Sequence, residues 1–277
     1  DISEMQRLAV ETRMAGRTIS LVPTMGFLHA GHKELLRVAR GKHGLLILSI
    51  FVNPAQFGPN EDYKTYPRDL DADLCTARAA GVDCVFAPRS EDMYPDGFQT
   101  YTQVETLSRH LCGEARAGHF KGVATVVLKL FNITMPHATV FGKKDYQQFV
   151  LIRRMALDLN LDVEVIGVDT VREADGLAMS SRNSYLDANE RCAAVCIPRA
   201  LDEGRSALSE AETKAQAIIH RVKKIIENEP LAVVEYVKVC DTDTLEGVDR
   251  VESSAMLLLA VRIGKTRLID NCLLDRV

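Results

Sequence analysis

An α/β fold, a doubly wound parallel sheet followed by a smaller α+β domain, is what this 277-residue sequence predicts. Three observations point to it. Short apolar runs alternate with helix-period segments through the first 175 residues. The stretch 45–52 is continuously apolar and rich in β-branched residues, as in a strand buried on both faces. Beyond residue 176 the order changes to long helices and then strands at hairpin spacing. The expected domains are therefore 1–175 and 176–277.

In chain order, Met5, Leu8, Ala9 and Thr12 fall at helical spacing within 3–15, and Gly16 supplies a stop. Residues 18–23 read as a strand, 31–40 as a helix closed by Gly41, and 45–52 as the next strand, together a parallel crossover unit. The stretch 53–68 is turn-rich, with Pro54, Gly58, Pro59, Asn60 and Pro67, and follows the carboxyl end of a central strand. Open α/β sheets bind ligands at that edge, so this flexible stretch is a candidate cover. A helix over 69–80, a strand over 82–87 and a loop over 88–100 come next. Residues 122–133 predict a buried helix and 139–141 a strand. Phe149, Ile152, Met155, Ala156 and Leu159 make 145–159 amphipathic, and 163–168 is a strand. Residues 187 to about 229 are helical in pattern, followed by strands over 233–240, 256–263 and 266–269, the last two joined at Gly264-Lys265.

Apolar residues at 47% and charged residues at 26% describe an ordinary globular protein, and a net charge of −4 gives no basic surface for nucleic acid. The longest apolar runs, such as 256–261, are too short to span a bilayer. The seven cysteines form no Cys-x-x-Cys, and no histidine pair has zinc-finger spacing. Free thiols in a reducing compartment are expected, and with no charged-then-apolar leader in the sequence that compartment is the cytoplasm. Cys192 and Cys196 stand at i, i+4, the spacing of one helix face.

Five polar clusters interrupt this pattern. In 21–32 a strand runs into a turn and then His29-Ala30-Gly31-His32 opens a helix. Helix-start amides, a glycine permitting close approach and two imidazoles suit the phosphates of a nucleotide, where imidazolium can neutralise developing charge. No acid or thiol nearby completes a zinc set. Asn53 and Gln56 offer neutral donors and acceptors beyond a buried strand, although Asn53-Pro54 is also ordinary turn chemistry. Arg116, His119, Lys121 and Gly122 form a basic approach to a helix start that suits an anion, or a set of solvated charges. Lys143 and Lys144 lead into another, against the helix dipole, so a bound phosphate would compensate them, and Lys144 and Gln148 are spaced to share a face. Ser180, Ser181 and Arg182 suit a triphosphate clamp, or a serine-rich linker.

In this order the clusters resemble the pantoate–β-alanine ligase family. The resemblance rests on Pro-Thr-Met-Gly-x-Leu-His-x-Gly-His at 23–32, Phe-Val-Asn-Pro-x-Gln-Phe at 51–57, and Tyr66-Pro67-Arg68. It continues through Gly-His-Phe-x-Gly-Val-x-Thr-Val-Val at 118–127, Phe-Gly-x-Lys-Asp-Tyr-Gln-Gln at 141–148, and Asp-Gly-Leu-Ala-x-Ser-Ser-Arg-Asn at 175–183. His-x-Gly-His alone is common to many nucleotidylyltransferases and class I aminoacyl-tRNA synthetases; the whole series is specific. Lys143 and Met179 depart from the family's usual residues, the second by a volume-conserving swap.

The resemblance implies a Rossmann-like first domain and a C-terminal domain covering the ATP site. It implies an ATP-dependent, AMP-forming ligase that condenses pantoate with β-alanine through a pantoyl adenylate. Mg²⁺ would accompany ATP, with no protein ligand named, and the chain would be a homodimer. By motif match ATP contacts Met25, Gly26, Phe27, Leu28, His29, Ala30, Gly31 and His32, then Gly142, Lys143, Lys144 and Asp145, then Val171, Met179, Ser180, Ser181 and Arg182. His32 stands at the family's proton-donor position, with His29, Lys144 and Arg182 also catalytic. Gln56 and Gln148 hold pantoate, and Gln56 also lies by β-alanine. The residue chemistry fits, since adenylation needs positive charge on a phosphate rather than a protein nucleophile. The alternatives are another His-x-Gly-His nucleotidyl transferase and a catalytically silent nucleotide-binding protein.

Overall fold

The computed structural model describes residues 1–42, 44–59 and 61–276, in two compact units. The first holds residues 1–143 and 147–169; the second holds 144–146 and the chain from 170 onward. Along the first run α1 (Ile2–Met14), β1 (Ile19–Thr24), α2 (Ala30–Arg40), β2 (Leu45–Ile50), α3 (Leu70–Ala79) and β3 (Cys84–Phe86). They are followed by α4 (Ser90–Met93), α5 (Cys112–Ala115), α6 (His119–Thr134), β4 (Ala138–Gly142), α7 (Tyr146–Asp158) and β5 (Glu164–Val168).

The five strands lie in the order β3-β2-β1-β4-β5, and every neighbouring pair is parallel. β1 and β2 carry no charged residue, because their side chains are buried from both faces. Each fully buried Leu or Ile there contributes about 1.5–3 kcal/mol. Leu36 and Ala39 of α2 and Ala77 of α3 pack one face, against Val22, Leu46, Leu48, Val140 and Val168. On the other face α6 packs on β1 and α1, and Phe149 of α7 lies on Gly167. The sheet is doubly wound, as expected. Strand order reverses at β1, so the segments leaving β1, β2 and β4 flank the switch point where such sheets bind ligands.

The second unit contains α8 (Ala188–Ala194), α9 (Cys196–Ser209), α10 (Ala215–Glu227) and an antiparallel sheet of β6 (Ala232–Cys240), β7 (Ser254–Ile263) and β8 (Thr266–Asp275). Leu201, Val222 and Ile226 from the helices meet Leu257, Val261 and Ile263 of β7 in its core. Among the described residues no helix is long and apolar enough to cross a membrane.

Several boundaries differ from the sequence reading. The helix expected from 122 starts at His119, where Gly118 (φ +81°) turns the chain into it. The loop expected over 88–100 contains the single turn α4. The helical stretch 187–229 is three helices, and the break at Val195 leaves Cys192 exposed and Cys196 buried, so they do not share a face. All seven cysteines are free; Cys75 and Cys192 are the two exposed ones. Asn60, one of the expected turn residues, lies outside the described residues.

The largest difference is at β8, expected to end near Ile269 where Asp270 and Asn271 interrupt the apolar pattern. Both are buried, and both have partners. Asp270, its side chain 1% exposed, receives two hydrogen bonds from Arg172 at 2.7 and 3.1 Å. Asn271 donates to the Lys144 carbonyl at 2.9 Å. Breaking a buried pair leaves a charge in low dielectric. Asp270→Ala is therefore expected to lower stability by about 2–3 kcal/mol, read from the shift in urea midpoint against wild type.

Candidate active site

The turn leaving β1 is held by hydrogen bonds to two other elements. Thr24 Oγ1 donates to the Ser49 carbonyl at 2.8 Å and accepts the Gly26 amide at 3.2 Å. Gly26 (φ +80°) and Phe27 (φ +52°) are consecutive left-handed residues, and a side chain rarely adopts the second conformation. Asp73 of α3 holds it there. Its carboxylate, on a residue only 3% exposed, accepts the amides of Phe27 at 2.8 Å and Leu28 at 2.7 Å. A Cβ on Gly26 would lie 2.8 Å from Asp73 Oδ2, so glycine is required by space as well as by φ. The sequence reading missed Asp73. Its signal was the i, i+4 spacing with Ala77, which puts an acid on the inner face of a helix.

The two histidines then cap α2 reciprocally. His29 Nδ1 accepts the Gly31 amide at 3.1 Å, and His32 Nδ1 accepts the His29 amide at 3.2 Å. This is a capping box built from imidazoles, and it accounts for their three-residue spacing. The rings lie 4.0 Å apart between centroids. With each Nδ1 an acceptor, the ring proton sits on Nε2, which makes each Nε2 a donor. The imidazolium expected from sequence would place a proton on Nδ1 against a backbone N–H, and the cap opposes that.

Beyond β2, Asn53 caps a short 3₁₀ turn at Pro54–Gln56 by accepting the Ala55 amide at 3.2 Å. The turn-chemistry reading is therefore correct, and Asn53 does more. Buried at 1% exposure, it donates from Nδ2 to Gln56 Oε1 at 3.0 Å and to the Gly122 carbonyl at 3.2 Å. Gln56 Nε2 lies 3.4 Å from Met25 Sδ, which joins this turn to the one after β1. Gly122 allows α6 to approach, since a Cβ there would lie 2.2 Å from the Ala55 carbonyl oxygen.

Arg116 and His119 are not solvated charges. His119 Nδ1 lies 2.8 Å from the Gln56 carbonyl, and Arg116 grips Glu61 with two bonds of 2.6 and 2.7 Å. Burial alone would raise the Glu61 carboxyl, but Arg116 holds it below the usual carboxylate range. Phe57 packs on Tyr63 and Tyr66, and Arg68 donates to the carbonyls of both tyrosines. Within the stretch expected to be a flexible cover, Phe57, Tyr63, Tyr66 and Arg68 are held to one another by these contacts.

At the end of β4, Gly142 pairs with Val168, and Lys143 Nζ meets Asp169 at 2.9 Å. Lys144 and Asp145 follow in a 3₁₀ turn, with Lys144 Nζ 3.9 Å from Asp145. Both lysines have carboxylate partners, so the helix dipole alone does not demand a phosphate here. Lys144 precedes α7 rather than sharing its helix with Gln148, which is half-buried in the first turn of α7.

In the second unit Val171 and Met179 are brought together, the Met179 amide donating to the Val171 carbonyl at 2.9 Å across a small hairpin turning at Gly176. Ser180 then caps the 3₁₀ turn Ser181–Tyr185 by accepting the Arg182 amide at 3.3 Å. Asn183 ties that turn to Glu173 at 2.6 Å and to the Ala178 carbonyl. Arg191 bridges Glu173 at 2.8 Å and Asp175 at 2.6 Å. The Ser-Ser-Arg stretch is therefore a braced loop, not a linker.

Comparison with known proteins agrees with these motifs. The family model described as pantoate-beta-alanine ligase matches residues 1–273. The pantothenate synthetase of Geotalea uraniireducens is 54% identical over 273 residues, covering 99% of this chain and 97% of the relative. That of Geobacter sulfurreducens is 52% identical over 99% and 96%. Among solved structures, the Thermus thermophilus pantothenate synthetase superposes with a TM-score of 0.91 at 43% identity, covering 95% of this chain and 96% of that one. The Francisella tularensis pantoate-beta-alanine ligase, complexed with beta-gamma ATP and beta-alanine, gives 0.82 at 33% identity over 99% and 95%. With sequence, fold and braced motifs in agreement along its length, the chain belongs to the pantoate–β-alanine ligase family.

Proposed function

We propose that this chain condenses pantoate with β-alanine to give pantothenate, driven by ATP through a pantoyl adenylate. The observation that supports it most directly is the histidine cap on α2, two Nε2 donors at a helix start on the switch point of the sheet. A carboxylate oxygen of pantoate attacks the α-phosphorus of ATP and pyrophosphate leaves. The amine of β-alanine then attacks the acyl carbon, AMP leaves, and the amine proton passes to solvent.

His32 and His29 serve the first step as neutral hydrogen-bond donors to phosphate oxygens, each keeping its Nε2 proton, with His32 at the position of the family's proton donor. Neutral donors stabilise charge as it develops, without a prior salt bridge to break. Lys144 and Arg182 supply the cationic charge. ATP is further assigned Met25 to Gly31, Gly142, Lys143, Asp145, Val171 and Met179 to Ser181. Pantoate is assigned Gln56 and Gln148, with Gln56 also by β-alanine.

Mg²⁺ enters with ATP, bound by phosphate oxygens, which hard cations prefer. Among the described residues no group of three or more His, Cys, Asp or Glu is placed to hold a metal. When bound it would neutralise phosphate charge. The chain is proposed to work in the cytoplasm as a homodimer; a monomer in sedimentation equilibrium would reject the dimer.

One assay separates this from the alternatives: ATP, Mg²⁺ and pantoate, then β-alanine, following pyrophosphate, AMP and pantothenate. AMP and pantothenate are expected only when both acids are present; a stable nucleotide-linked product, or no turnover, rejects the ligase. His32→Ala and Lys144→Ala are each expected to slow pyrophosphate release by about a hundredfold or more with the circular dichroism unchanged. Asp73→Asn keeps one acceptor for the turn and loses the charge. It is expected to raise the KM for ATP by about tenfold while sparing that for β-alanine.

A further inference from the structure

Tyr94, between α4 and the aromatic stretch that follows it, lies outside every cluster read from the sequence. Its hydroxyl is 2.7 Å from Asn53 Oδ1. The direction of that bond is fixed. Asn53 Oδ1 also faces the Ala55 amide, a donor, while Nδ2 faces the Gly122 carbonyl, an acceptor. The asparagine amide therefore has one allowed orientation, and the Tyr94 O–H must donate. Burial pushes the phenol up, so it remains an O–H donor throughout the neutral range.

The same polarity passes onward. Asn53 Nδ2 donates to Gln56 Oε1 at 3.0 Å, which fixes the glutamine amide and leaves Nε2 at the far end. There its neighbour is Met25 Sδ at 3.4 Å, a weak acceptor that an oxygen would displace.

We propose that Tyr94 is a positioning residue for pantoate, acting through the one-way chain Tyr94 Oη to Asn53 Oδ1 and Asn53 Nδ2 to Gln56 Oε1. The chain ends on a donor, Gln56 Nε2, which takes a carboxylate or hydroxyl oxygen. Each bond polarises the next, so the phenol strengthens the terminal donor as well as orienting it. The proposal rests on the assignment of Gln56 to pantoate. The tyrosine ring is held independently, packed on Phe51 at 6.3 Å and on Phe98 at 5.1 Å between centroids. A phenylalanine there would keep the packing and delete the hydroxyl alone.

The test is the pantoate dependence of AMP release, at saturating ATP and β-alanine, for the unaltered chain, Tyr94→Phe, Gln56→Ala and the double variant. Tyr94→Phe is expected to raise the pantoate KM about fivefold to tenfold. The KM for ATP should stay at the unaltered value, and the thermal midpoint should fall by only the few degrees that one lost hydrogen bond accounts for. In the Gln56→Ala background the same change should add nothing, because the hydroxyl then has no glutamine to act through. An unchanged pantoate KM in Tyr94→Phe, beside a raised one in Gln56→Ala, overturns the chain alone. So does an equal rise in the ATP KM, or full additivity in the double variant. An unchanged pantoate KM in Gln56→Ala overturns the assignment of Gln56, and the role of Tyr94 with it.

Discussion

The carboxylate of Asp73 and the two amides it accepts hold the first unit's candidate site in shape. A buried carboxylate costs several kcal/mol in desolvation, and hydrogen bonds to a charged group return about 1.5–3 kcal/mol each. One amide would leave the acid in deficit, and two roughly balance it. The balance requires Phe27 and Leu28 to present their N–H groups side by side, which needs the left-handed pair Gly26-Phe27. That pair sets the angle at which the chain enters α2, and so where His29 stands when it caps the helix. An acid on one helix thus determines the aim of two imidazoles on another.

In the proposed reaction the histidine cap and the two lysines divide the electrostatic task. The imidazoles are donors without net charge, since their Nδ1 atoms are committed to backbone amides. The lysines bring full charges that are provisionally paired. Asp169, partner to Lys143, is 90% exposed at its side chain, and such pairs are worth about 0–1 kcal/mol. A polyphosphate, with several charges and many acceptors, would outcompete a partner of that strength in the proposed reaction. The pairing keeps the lysines ordered without committing them.

Much of this was legible in the sequence. The alternation of apolar runs gave the sheet and its two helix layers, and the glycine- and histidine-bearing motifs marked the turns at its carboxyl edge. What was not legible has one physical cause: polar residues satisfied by partners distant in sequence. Asp270 and Asn271 look like the end of a strand until Arg172 and the Lys144 carbonyl are seen beside them. Arg116 looks solvated until Glu61 closes on it, 55 residues away. Asp73 and Tyr94 belong to the same class. Asn53 shows the intermediate case, since its local role as a turn cap was readable and its grip on Gln56 was not. The histidine spacing was read as a phosphate site, whereas its first cause is a capping box.

Burial pushes the thiols of Cys196 and Cys240 up to about 11 and that of Cys272 to about 12. At neutral pH fewer than about one in a thousand of these groups is a thiolate, too few to react at a useful rate. The exposed thiols are Cys75, on α3 in the first unit, and Cys192, on α8 in the second. The half-buried Cys84 of the first unit is raised by burial as well, and each unit therefore presents one exposed thiol. A donor and an acceptor dye attached at these native positions would form a molecular ruler for the distance between the units during turnover.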